Sequence, residues 1–110
     1  MTGAAALALA ALLSRSPADR QALADLAYVL GEAHALRQAC SAGDQGWRSR
    51  MSRMLEVEAA DERFRRRLID SFNAGFRGRR AEHPSCDAGA AAAARDTAEK
   101  GEALARRLGS

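Results

Sequence analysis

The sequence predicts an all-α fold: a small four-helix bundle-like domain closed by one disulfide. Three observations predict it. β-branched residues are nearly absent, numbering only Val29, Val57, Ile69 and two threonines, so no segment carries a strand signal. Apolar residues recur in steps of three and four between clear cap and break signals. The chain also holds just two cysteines, Cys40 and Cys86, each closing a helical stretch, and an even pair without C-x-x-C spacing reads as a cross-link rather than a redox motif.

The first element starts at Ser16-Pro17, with serine as N-cap, proline at the first helical position and Asp19 in the first turn. It is expected to run to about Ala39, with Leu23, Leu26, Leu30, Ala33, Arg37 and Cys40 on one face. Tyr28, Val29 and Leu36 widen that surface, which marks this helix as the central one. Ser41-Ala42-Gly43-Asp44 ends it, and Asp44 starts the second helix. Trp47, Met51, Met54, Leu55 and Glu58 form the stripe of that helix, which breaks at Ala59-Ala60-Asp61. A third helix begins near Asp61 with Phe64, Leu68, Phe72, Gly75, Phe76 and Arg79 on one face. It ends near Glu82, because Pro84 disfavours helix at His83. Asp87 caps a fourth helix, whose small-residue stripe is Ala90, Ala94, Thr97, Gly101, Leu104 and Leu108. Short connections make neighbours antiparallel.

The chain of 110 residues is one domain, placed at residues 17–110. Much of its 47% hydrophobic content is alanine, so its core is thin, and a cross-link would matter. Residues 1–16 are read as a signal-peptide remnant or a disordered N-terminus. Ala4–Leu13 matches a signal h-region in length and is too short to span a bilayer, although no basic residue precedes it and no clean cleavage site follows. The alternative is an N-terminal helical turn of the mature protein. With the cysteine pair, the expectation is export to the periplasm.

At position after position, residues of this chain resemble a known family. Leu36-Arg37 with Cys40, Trp47-Arg48 with Met51, Glu58, Arg66-Arg67-Leu68, and Phe72-Asn73-Ala74-Gly75-Phe76-Arg77 with Cys86 look like a small family of exported alphaproteobacterial proteins, domain of unknown function family 2385. The similarity spans roughly Leu23 to Leu108, and the tryptophan-arginine and F-N-x-G-[FY]-R segments are its most specific parts. Members usually open with an evident signal peptide, which this start lacks in full. They tend to carry Thr-Pro after the second cysteine, where this chain has Asp87-Ala88. The resemblance implies export and a helical fold, and it implies no activity.

The residues themselves narrow the function classes. No nucleophile elbow, H-E-x-x-H or glycine-rich phosphate loop is present, so no catalytic residue and no cofactor is expected. His34, Cys40, His83 and Cys86 have the residue types of a zinc site, but their spacing argues against one, and no metal is expected. The net charge is +3, and ten arginines face five acids between Arg48 and Arg80. They show neither a helix-turn-helix pattern nor a continuous basic face, so nucleic acid is not an expected partner.

The candidate binding residues are Arg37, Trp47, Arg48, Glu58, Asn73 and Arg77. Trp47 either anchors its helix to the core or offers a stacking platform. Arg37 needs a partner on its apolar face, and Glu58 is the expected one. Asn73 and Gly75 either serve packing, with Gly75 admitting a neighbouring helix, or form a pocket wall. The functional expectation is a non-catalytic periplasmic binding or scaffold protein, partnered by an unidentified envelope protein or an anionic envelope component. The alternative is a binder of anionic lipid or lipopolysaccharide surfaces through the Arg-rich middle helices.

Overall fold

The computed structural model of the protein describes residues 15–58 and 61–109. It contains four helices, α1 (Pro17–Cys40), α2 (Gly46–Glu58), α3 (Glu62–Glu82) and α4 (Ala88–Gly109), and no strand among the described residues. The apolar run from Ala4 to Leu13 lies outside the described residues.

Each helix begins where a short polar side chain can take up an unpaired backbone N–H. Ser16 Oγ accepts from the Asp19 N–H at 3.1 Å, and Pro17 occupies the first helical position of α1. Asp61 Oδ1 accepts from the Phe64 N–H at 2.7 Å to start α3. Asp87 Oδ1 accepts from the Ala90 N–H at 2.6 Å to start α4. That backbone bond, with a smaller contribution from His83, holds the Asp87 carboxyl below the usual carboxylate range. α2 differs from expectation by two residues. Asp44 donates its own N–H to the Ser41 carbonyl at 2.9 Å and accepts the Gly46 N–H on its carboxylate at 2.8 Å. It therefore closes a turn, and the helix starts at Gly46.

α1 is the hub. Every residue from Val29 to Leu36 is buried, and a helix buried on all sides must have neighbours on all sides. α2, α3 and α4 each pack on α1, whereas the α4 backbone meets neither α2 nor α3. The bundle is thus one central helix surrounded by three. Its apolar centre joins Leu23, Ala27 and Leu30 of α1 to Met51 of α2 and to Phe64 and Leu68 of α3. Trp47, Met54, Leu55 and Phe72 pack around it half-buried. α4 uses the small-residue stripe: Ala90, Thr97 and Gly101 are buried, and the Thr97 hydroxyl donates to the Ala93 carbonyl at 2.7 Å. A buried hydroxyl satisfied within its own helix carries no desolvation debt into the interface.

α1 and α3 come into close backbone contact where two glycines face each other's backbone. A methyl group added at Gly31 would collide with the Phe72 carbonyl, and one added at Gly75 would collide with the Tyr28 carbonyl. Gly75 therefore serves helix packing. Beside this crossing, Arg79 Nε of α3 donates to Glu32 Oε2 of α1 at 2.8 Å, with both side chains largely buried.

Cys40 and Cys86 are bonded, with Cα atoms 4.8 Å apart. The bond joins the last residue of α1 to the connection between α3 and α4, and so closes a loop that contains α2 and α3. Closing a loop with a separation of 46 residues removes chain entropy worth about 4 kcal/mol in the unfolded state.

The glycine crossing has a direct test. Gly31→Ala and Gly75→Ala should each lower the unfolding free energy by about 1–3 kcal/mol, despite a gain of about 1 kcal/mol in helix propensity. Gly78→Ala on the same helix, with only the Tyr28 hydroxyl 3.7 Å away, should be neutral or stabilising. Urea denaturation of the three variants separates these outcomes.

Candidate functional site

The expected pair between Arg37 and Glu58 does not form. α1 and α2 run antiparallel, so α2 begins beside Arg37 and its 13 residues carry Glu58 about 18 Å away, toward the start of α1. Glu58 instead meets Arg15, a residue ahead of α1. Arg15 Nε donates to Oε1 at 3.1 Å and Nη2 to Oε2 at 2.8 Å, a two-pronged arrangement that suits guanidinium and carboxylate geometry. Arg15 Nη1 also donates to the Leu108 carbonyl in the last turn of α4 at 3.2 Å, where a cation is favoured by the helix dipole. One guanidinium thus joins the ends of α2 and α4 beneath the start of α1. Arg37 is exposed, and its nearest acid is Asp44 at 3.8 Å.

α2 sits slightly away from α3, and the space between them is a groove of about 340 Å³. Its apolar lining comes from Met51 and Leu55 of α2 and from Ile69, Phe72 and Phe76 of α3. Its polar groups are Arg48 and Ser52 on the α2 side, Asn73 on the α3 side, and His34 of α1. No carboxylate lines it. The volume lies at the small end of the range for ligand pockets. The His34 ring stacks obliquely against Phe76 and Phe72, at centroid distances of 5.4 and 5.9 Å. His34 is 7% exposed, and its Nδ1 is enclosed with no hydrogen-bond partner. Burial pushes the imidazole pKa below its ordinary value, the nearby Arg48 charge pushes it further, and Asp44 partly opposes them. The folded state therefore favours the neutral imidazole.

The six candidate residues do not form one site. Arg48 and Asn73 meet in the α2–α3 groove. Arg37 and Trp47 line a second depression, formed by the end of α1, the start of α2 and the first half of α4, with four alanines in its walls. Glu58 is occupied by Arg15, and Arg77 is exposed on α3 one turn beyond Asn73. His34 enters the sequence reading only as a weak zinc candidate. Its real place follows from its position within the wholly buried segment Val29 to Leu36. A zinc set on these residues is removed by the disulfide, which leaves neither cysteine a thiolate, and His83 Nδ1 lies 3.2 Å from Asp87.

Arginine dominates the outer surface of α2 and α3. Nine of the ten arginines between Arg48 and Arg80 are exposed, Arg79 being the exception. Some lie on aromatic faces: the Arg50 guanidinium is 4.6 Å from the Trp47 ring centre, and that of Arg80 is 5.8 Å from Phe76. Among the described residues no helix is long and apolar enough to cross a membrane.

Two measurements test this arrangement. Glu58→Ala strands the Arg15 guanidinium and should cost about 1–3 kcal/mol in denaturant unfolding, whereas Arg37→Ala should stay within about 0.5 kcal/mol. For His34, the unfolded chain takes up a proton below about pH 6.5 while the folded state resists it. Stability should therefore be complete above that pH and fall as pH drops toward the lowered folded value. The melting temperature of His34→Gln should lose that part of the pH dependence.

No curated protein and no solved structure matches the chain. A family model described as "Protein of unknown function (DUF2385)" matches residues 17–110. That span runs from the first residue of α1 to the end of the chain, taking in all four helices, both cysteines and both walls of the groove, and the protein belongs to this family.

Proposed function

We propose that the protein is a non-catalytic binding or scaffold module of the cell envelope, working in the periplasm. The Cys40–Cys86 bond carries this reading. Disulfides persist in oxidising compartments and are rare where thiol reductants are abundant, and this one closes the segment containing α2 and α3, the two walls of the groove. The groove supports binding rather than catalysis. It offers one cation, one neutral imidazole and two small polar groups, with no paired carboxylates and no nucleophile held by a base. The partner is an envelope protein or an anionic envelope component that engages the α2–α3 side.

A second reading rests on a different observation, the exposure of nearly every arginine on α2 and α3. Such a surface attracts anionic lipid or lipopolysaccharide, at a strength that falls with salt. Vesicles containing phosphatidylglycerol should then retain the protein at low salt and release it at high salt. Absence of retention at any salt concentration would rule this reading out.

The compartment is tested on protein taken from its native host. Intact mass after alkylation without reductant should show no added alkyl group, and cell fractionation should place the protein outside the cytoplasm. Two alkylated thiols, or a cytoplasmic location, would contradict the proposal.

A further inference from the structure

We propose that the α2–α3 groove binds a carboxylate that carries an apolar body, with the carboxylate held by Arg48, His34 and Asn73. The inference rests on the binding-module reading and specifies the ligand of the same face.

Four features of the groove lead to it. Arg48 stands at the wall with no ion pair or hydrogen bond among the described residues, in a lining that contains no acid. It is a cation with its pairing capacity unused, and a guanidinium pairs best with a planar, two-oxygen anion. His34 supplies the second feature. The residue is more than nine-tenths buried, yet it lines the groove, and its Nδ1 is enclosed without a partner. Adding a proton at Nδ1 would create a buried donor with no acceptor, which is costly. The imidazole is accordingly the neutral tautomer with its hydrogen on Nε2, the nitrogen left to meet a groove ligand, and it acts there as a donor. Asn73 is the third feature. It is an amide within a helix whose side chain lines the groove and can donate to the same anion. The fourth is the rest of the wall, where Phe72, Phe76 and their aliphatic neighbours ask for apolar contact.

The charge count chooses between anions. One guanidinium and one neutral donor match a single negative charge. A phosphate dianion would leave one charge uncompensated in a half-enclosed site. A carboxylate head with an aliphatic or aromatic body satisfies both halves of the lining.

Octanoate is a suitable probe, with octanol as its uncharged counterpart, and both are titrated into the disulfide-intact protein. Binding is read by calorimetry and by the His34 ring resonances in NMR. Octanoate should bind saturably and shift the His34 signals, and octanol should bind about tenfold or more weakly. Arg48→Gln should lower octanoate affinity about tenfold or more, as expected for loss of a charged hydrogen bond. Arg48 is exposed, so this variant keeps the fold, and an unchanged melting temperature verifies that. Asn73→Ala should weaken binding by a smaller factor. No saturable binding at millimolar octanoate, equal binding of octanol, or an unchanged affinity in Arg48→Gln would each overturn the proposal. Such results would leave the envelope reading to be decided by the thiol and fractionation measurements, which do not depend on this ligand.

Discussion

The backbone contact between α1 and α3 at Gly31 and Gly75 is the constraint on which the rest of the structure depends. Two helices that touch through glycine place their axes closer than side-chain packing allows, because no Cβ stands between them. That approach buries the Phe64, Leu68 and Phe72 side of α3 on α1 and brings Arg79 within reach of Glu32. It also turns His34 toward Phe72 and Phe76, which places a histidine of the central helix in the groove. Were α3 held further out by even one methyl group, the ion pair, the ring contacts and the groove would all change together.

Around this crossing, the remaining pieces compensate for a core poor in large side chains. α4 contributes mainly alanine, threonine and glycine to its contact with α1, which packs closely but buries little area. Covalent and ionic ties stand at the two ends of the bundle. At one end, the disulfide joins the last residue of α1 to the α3–α4 connection, two residues before α4. At the other, Arg15 links Glu58 of α2 to the last turn of α4. Each tie holds a peripheral helix that its apolar contacts hold weakly.

Much of this fold is legible in the sequence, and the parts that are not share a physical reason. Helix starts depend on local chemistry, so Ser16-Pro17, Asp61 and Asp87 reveal their helices without reference to the rest of the chain. The stripes of α3 and α4 are legible for the same reason. The pairing of Glu58 is not, because it depends on which end of α1 the end of α2 reaches, and because Arg15 lies before the helical pattern begins. Arg37 shares a helical phase with Leu23 and Leu30, yet it sits in the last turn of α1 and is exposed there, beside Asp44 of the following turn. Gly31 carries no local signal at all, since only the partner backbone explains it. The site follows the same rule. Arg48 and Asn73 stand out as residues, but their meeting, and the arrival of His34 from a third helix, come from tertiary geometry.

Because α2, α3 and α4 all pack on α1, native-state hydrogen exchange tests the central place of α1 most directly. Amides from Val29 to Leu36 should exchange only through global unfolding, together with those of α3 around Gly75, while α4 opens at lower free energy. Exchange of the Val29 to Leu36 amides through local opening, with α3 or α4 still protected, would contradict it.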